Sequence, residues 1–353
     1  MSLKTVRSYK TIPFRIKEID MKEMTMGKAL NDALRHCMEE NERVYVIGEE
    51  VATGLFPPTK GLVDLFGKDR VINSPLCEEG FSGLAVGSSV LGMQPVVEFM
   101  FMDFVTVGMD MLANHAPKMR YVSGGQLHCP VVFRVLSGGG RRGGAVHSQN
   151  LSAWFMHAPG MKVVVPSNPY DAKGLLIAAV HDPDPVMFVE SRILYGMKGM
   201  VPEEPYELAF GEANILREGG HVTLVTCGRM VHIANEAVEK LALKGIEVEL
   251  IDLRTLVPLD EETIVESVKK TQRLVTVDES CERAGVGSEI TAVVMRELCA
   301  LKAPVQTIAC PNTPAPVSPP LENRYYPTAD SISQRIETML GTGGFSDLPT
   351  PNC

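Results

Sequence analysis

The sequence predicts an α/β chain of two doubly wound domains, and three observations predict it. Short apolar runs recur, bounded by Gly or Pro, in the form taken by strands buried on both faces of a parallel sheet. Stretches of helical character alternate with them, which is the order of a sheet covered on both sides. A polar, proline-bearing stretch at 202–217 interrupts the rhythm once, after which it restarts. At 353 residues the chain also exceeds what one ordinary core organises, so two domains are expected.

The elements follow in order. Thr25–Glu40 opens on a residue suited to an N-cap and sets Ala29, Leu30, Ala33, Leu34 and Cys37 on one stripe, an amphipathic helix. VYVIG (44–48), PVVEF (95–99), PVVFRV (130–135), KVVVP (162–166) and PVMFVE (185–190) read as buried strands. Gly80–Leu91, Phe104–Tyr121 and Tyr170–His181 read as the helices among them. The first domain therefore takes 23–201, behind an arm at 1–22. Past the linker, strands at 222–226, 246–253, 273–279 and 305–310 alternate with helices at 231–243, 260–271, 288–298 and 330–340. These give a second domain at 218–341. The Gly- and Pro-bearing end, 342–353, reads as a disordered tail.

Composition narrows the function classes. A formal charge of −9 argues against a nucleic-acid surface, which relies on clustered Lys and Arg. The dense basic stretch of the arm (Lys4, Arg7, Lys10, Arg15, Lys17, Lys22) lacks the apolar run of a signal peptide and reads as a solvated arm. No later stretch approaches the roughly 20 apolar residues of a membrane span. Eight scattered cysteines without a C-x-x-C pair suggest reduced thiols in a cytoplasmic protein, and no histidine pair has helical metal-site spacing. No transition-metal centre is expected.

Three features stand out for chemistry. In SPLCEEGFSGLAVGSSVLG (74–92), Glu78 and Glu79 precede a run of small residues that lets a helix approach another backbone or a ligand; stabilisation of the helix start is the plainer role for the acids. VLSGGGRRGGAVHSQ (135–149) brings five glycines and two arginines to His147. It reads equally as a mobile surface loop or as one that wraps an anion in its backbone amides. GGGRRG fits a dinucleotide fingerprint by letter but lacks its strand–turn–helix context. EFMFMDF (98–104) packs aromatics and methionines at a strand end, more often core, although α/β proteins bind ligands at that end of their strands.

Taken with VYVIGEEVA, MRYVSGG and HAPGMKVVVPSNPYDAKGLL, these motifs resemble the beta subunit of thiamine-diphosphate-dependent dehydrogenases, the first components of the pyruvate, branched-chain 2-oxo acid and acetoin dehydrogenase complexes. The resemblance runs from Glu23 to Leu340 and is nearest to acetoin-type members around ILYGMKGMVPEEPYELAFGEANILREG. It implies an N-terminal thiamine pyrimidine-binding domain and a C-terminal transketolase-like domain. It also implies an oxidoreductase that decarboxylates a 2-oxo acid or cleaves acetoin and passes the acyl group to lipoamide. The implied partners are an alpha subunit, in an alpha2–beta2 heterotetramer, and a lipoyl-bearing dihydrolipoyl acyltransferase. The alpha chain would hold magnesium and the diphosphate, in keeping with the lack of any Gly-Asp-Gly here. A scaffold of the same fold without catalysis is the alternative.

The same resemblance assigns residues. Glu78 takes the place of the acid that shares a proton with the pyrimidine ring nitrogen and so favours the imino form that deprotonates the thiazolium. Met102 and Phe104 take the places that pack against the pyrimidine, and Glu50 a place lining the cleft or capping a helix. His147 takes that of a histidine near the thiazolium and the lipoyl group, or of one that merely orders its loop. Glu79 stands where relatives carry an apolar residue. A structural potassium ion is implied at Val131, Ala179, Asp182 and Asp184, with Pro183 altering that turn. The second domain is implied to serve dimer contact and docking, without catalytic duty.

Overall fold

The computed structural model describes residues 20–341; most of the expected arm and all of the tail at 342–353 lie outside them. The first sheet has seven strands. Its neighbours in order are Thr255–Val257, Lys162–Val164, Val186–Glu190, Val132–Leu136, Gln94–Phe99, Val44–Gly48 and Val71–Asn73. All pair in parallel except Thr255–Val257. The second sheet has five strands, Gln306–Cys310, Leu274–Cys281, Val222–Thr226, Val248–Asp252 and Asn214–Arg217, the last antiparallel. This is the two-domain α/β architecture read from the sequence, and the central strands are buried along their whole length, as apolar runs demand.

The cap expected at Thr25 forms, and Asp260, read only as the start of its helix, caps as well. The Thr25 hydroxyl accepts the Lys28 N–H at the start of Met26–Glu40, and Asp260 accepts the Thr263 N–H at the start of Glu261–Thr271. Removing either oxygen costs about 1 kcal/mol in helices of this kind.

The structure departs from the reading in three places. The single helix expected at Phe104–Tyr121 is a chain of short turns, Met102–Thr106, Asp110–His115, Ala116–Lys118 and Met119–Val122. Pro117 lacks the N–H and crowds the preceding turn, which accounts for the irregular turn at Asp110–His115. The stretch read as a linker contains the edge strand Asn214–Arg217, and Met21–Thr25 pairs with Lys198–Pro202 in a two-stranded ribbon at the end of the expected arm. Finally, Thr255–Val257, which belongs by sequence to the second domain, adds the edge strand to the first domain's sheet.

That crossing strand is reinforced by side chains. The Val165 N–H donates to the Arg254 carbonyl at 2.8 Å, and the Arg254 guanidinium meets the buried Asp171 carboxylate at 2.8 Å. Ser167 donates to Asp252, and His232 Nε2 lies 2.7 Å from the Ser167 carbonyl oxygen. The two domains therefore share one continuous set of buried contacts, and Val225, Ile251 and Leu253 join the apolar cluster that contains Phe99 and Phe133.

A buried charged network ties the centre of the first sheet. Arg134 donates to Glu98 Oε2 at 2.7 Å and to both oxygens of Glu190 at 2.6 and 2.9 Å, and the Tyr195 hydroxyl donates to Glu190 at 2.6 Å. Glu98 and Arg134 are direct neighbours in the parallel register. Burial pushes the Glu98 carboxyl up to about 7, against the pull of Arg134.

Candidate functional site

The site forms at the carboxyl ends of the first sheet's strands, where parallel sheets leave a crevice. Glu49 follows Val44–Gly48 directly, Phe101 and Phe104 follow Gln94–Phe99, and the Gly-rich loop to His147 follows Val132–Leu136. Glu78 opens the helix Glu78–Val90, whose small residues allow close approach to the segment after Phe104. A Cβ on Gly108 would lie 3.3 Å from the Glu78 carbonyl oxygen and 3.2 Å from Ser82 Oγ.

The structure brings His147 and Phe104 together. The imidazole stands edge-on between two rings, 5.2 Å from Phe104 and 4.9 Å from Phe101, with the Arg141 guanidinium 4.9 Å from the centre of the Phe101 ring. Two further ties hold the histidine's segment. Asp103, buried, accepts the Gln149 amide N–H at 2.8 Å, and the Met102 sulfur accepts the Leu151 N–H at 3.2 Å. Met102 is fully buried beneath the loop and supports it. Phe101 and Asp103 were missed; their signal is the same EFMFMDF stretch, where the turn that begins at Met102 brings Phe101 and Phe104, three residues apart, to the same imidazole.

The acids sort differently from the reading. Glu50 is exposed, adopts a φ of 55°, and accepts from its neighbour Thr53 at 2.9 Å. Glu49 is the buried one, with its Oε1 lacking any hydrogen-bond partner among the described residues. Burial, then the negative charges of Glu78 and Glu50, push its carboxyl up to about 7. Glu78 is half-buried and Glu79 exposed at the helix start, so the second acid has solvent available to it. An orphaned carboxyl oxygen beside a second acid is suited to hold N–H groups of a heteroaromatic ligand.

A pH prediction follows for Glu49. Its carboxyl sits above the ordinary carboxylate value of 4.5, so the fold favours the protonated form, and that contribution is lost as pH rises through about 7. Glu49→Gln should therefore raise the chain's thermal midpoint relative to the parent more at pH 8 than at pH 5. A difference that is flat across this range would refute the assignment.

Three amides of the Gly-rich loop are taken by carboxylates of the second domain: the Gly139 N–H donates to Glu279 at 3.0 Å, and the Gly140 and Arg142 N–H groups donate to Glu322 at 3.2 and 3.0 Å.

At the residues implied for potassium, Val131 and Ala179 are buried and the Val131 carbonyl accepts the Val186 N–H at 3.0 Å. Asp182 takes the Lys162 ammonium at 2.5 and 2.6 Å, and Asp184 takes Arg120 at 2.6 Å. These carboxylates are neutralised by the chain's own cations, so a monovalent ion here would use main-chain carbonyls, each with a second lone pair. Among the described residues no group of three or more His, Cys, Asp or Glu is placed to hold a metal ion, and no helix is long and apolar enough to cross a membrane.

Residues 22–198 match the transketolase pyrimidine-binding domain and residues 211–332 the transketolase C-terminal domain. Fold and site together define a two-domain protein of the transketolase type. A solved split-gene transketolase, described as an inactive beta4 tetramer, shares this fold with a TM-score of 0.74 at 22% identity, over 91% of this chain and 99% of that one. The beta subunit of acetoin:2,6-dichlorophenolindophenol oxidoreductase from Cupriavidus necator is 45% identical over 334 residues, 91% of this chain and 98% of that protein. The counterpart from Bacillus subtilis is 42% identical over 90% and 97% of the two chains. The pyruvate dehydrogenase E1 component subunit beta of Rickettsia felis is 44% identical over 90% and 98%. The chain belongs to the family of pyruvate and acetoin dehydrogenase beta subunits.

Proposed function

We propose that this chain is the beta subunit of a thiamine-diphosphate-dependent oxidoreductase that acts on a small oxo compound, pyruvate or acetoin, and delivers the acyl group to a lipoyl-bearing acyltransferase. The observation that carries the reading is the gathering of Glu78, the buried Glu49 and the His147–Phe104–Phe101 group at one end of one sheet. The residues present fit the pyrimidine end of the cofactor. Glu49 Oε1 is buried without a hydrogen-bond partner among the described residues and so calls for a donor, and Phe104 and Phe101 offer aromatic faces and edges of fixed orientation.

The bound cofactor supplies the carbon nucleophile for the oxo group. In this reading Glu78 holds a proton at the pyrimidine ring nitrogen, and Glu49 keeps a second, partly protonated carboxyl within its field. His147, steadied by Phe101 and Phe104, would deliver a proton to the dithiolane sulfur released when the S–S bond breaks, as the other sulfur takes the acyl group. The alpha subunit, in an alpha2–beta2 assembly, contributes magnesium and the diphosphate contacts. A potassium ion, if bound, would be held by main-chain carbonyls near Val131 and Ala179 and would supply fixed positive charge to the turn behind the sheet. The complex works in the cytoplasm.

The direct test is co-expression with an alpha chain followed by assay of dichlorophenolindophenol reduction with acetoin or pyruvate, with and without thiamine diphosphate. Reduction that requires both the alpha chain and the cofactor is expected. A folded assembly inactive toward both substrates would overturn the reading in favour of a scaffold. His147→Ala should separate the half-reactions, lowering acyl transfer to a lipoyl domain by about 100-fold, the lower end of what a positioned acid–base group contributes. Equal losses in dye reduction and lipoyl acylation would sink that role.

A further inference from the structure

The loop that carries His147 is fastened by two acidic side chains that come from the other domain. Glu279 lies on Leu274–Cys281 and Glu322 on the short helix Pro319–Tyr325, so the sequence separations to the loop are 140 to 182 residues. The Glu322 side chain is 1% exposed, and its Oε1 accepts both the Gly140 and the Arg142 N–H. Its other oxygen meets the Arg142 guanidinium, which also donates to Asn323 at 3.0 Å. Glu279 accepts the Gly139 N–H and is paired with Arg229 at 2.5 Å. Arg229 in turn lies 5.1 Å from the centre of the Tyr326 ring.

The glycines are what let these groups so near. A Cβ on Gly139 would fall 1.6 Å from the Tyr326 hydroxyl oxygen, and one on Gly138 would fall 2.4 Å from the Glu279 carboxylate. The clamp then reaches His147 through a tight fold of the chain. A Cβ on Gly143 would lie 2.7 Å from the His147 carbonyl oxygen, and Arg141 donates to that same carbonyl at 3.5 Å. Movement at residues 139–142 therefore has little slack before it displaces residue 147.

We propose that Glu279 and Glu322 are positioning residues: by occupying the loop amides with fixed negative charge, the second domain sets where His147 stands during acyl transfer. The inference rests on the acyl-transfer role given to His147 above. A charged acceptor makes a stronger bond to backbone N–H groups than a neutral one, so the clamp depends on carboxylates and not merely on shape. Loss of the clamp should act on the step His147 serves, since small misplacements of a reacting group are costly in rate.

The test uses the complete alpha–beta assembly with Glu322→Ala, Glu322→Gln and Arg142→Ala, and reads three quantities. These are dye reduction with the oxo substrate, acylation of an isolated lipoyl domain, and trypsin cleavage after Arg141 or Arg142. Glu322→Ala should lower the ratio of lipoyl acylation to dye reduction by about 100-fold, of the order an ångström of misplacement brings, and should speed cleavage at the loop. Glu322→Gln, which keeps an acceptor oxygen, should recover part of both. Should Glu322→Ala fail to assemble, Arg142→Ala, which leaves the carboxylate in place and Arg141 as the remaining cleavage site, should show the same fall in the ratio in milder form and faster cleavage after Arg141 than the parent shows at that bond. An unchanged ratio and unchanged cleavage overturn the proposal, as does an equal fall in both half-reactions. If cleavage quickens in Glu322→Ala while His147→Ala leaves acylation intact, the clamp on the loop stands and the role given to His147 falls.

Discussion

Replacing Glu78 by glutamine is expected to lower turnover of the assembled enzyme by about 100- to 1,000-fold, the range in which positioned acid–base groups act, while cofactor affinity changes much less. Glutamine keeps the size and the hydrogen-bonding capacity of the side chain but cannot share an acidic proton with a ring nitrogen. Glu78 begins its helix with one neighbour, Glu79, exposed to solvent and another, Glu49, buried behind it. The charge relation with Glu49 means that Glu78→Gln should also relieve the upward push on the Glu49 carboxyl. Steady-state dye reduction measures the first effect and calorimetric titration of thiamine diphosphate the second. Full activity in Glu78→Gln would remove this acid from the mechanism.

Arg134→Met is expected to be the most damaging single change to stability, costing about 3–5 kcal/mol, the usual penalty for removing one partner from a buried ion network. Arg134 answers Glu98 and Glu190 at once, and all three side chains are at most 3% exposed. Without the guanidinium, the two carboxylates must take up protons or leave the core. The loss should therefore deepen as pH rises, because at low pH protonation discharges the orphaned pair. Thermal midpoints at pH 5 and pH 8 read this directly. A small, pH-independent loss would mean that water or Tyr195 satisfies the carboxylates unaided.

Much of this arrangement was legible in the sequence, for identifiable reasons. Strands buried on both faces write themselves as apolar runs, so the central strands of both domains could be located from composition alone. Glu78, Phe104 and His147 were legible only through the resemblance of their motifs, since each taken singly had a plainer structural reading. The different settings of Glu49 and Glu50 were not legible, because two adjacent acids look alike in a sequence. What separates them is that Glu49 continues the end of a buried strand while Glu50 turns to positive φ. The sequence left the glycine-rich loop open between a mobile surface loop and one that wraps an anion, and the carboxylate its amides meet was hidden, because nothing local announces a partner 180 residues away. The irregular turn before Ala116 had a visible cause in Pro117.

The strand Thr255–Val257 bears on how this protein can be divided and inherited. A gene cut at the apparent boundary near residue 210 would yield a first half whose Lys162–Val164 edge is left bare, and a second half carrying a loose ribbon cut for that edge. The halves are not modules that happen to be joined. Recombination that exchanges one of them between relatives must also exchange three residues, 255–257, that the ordinary boundary assigns to the other side.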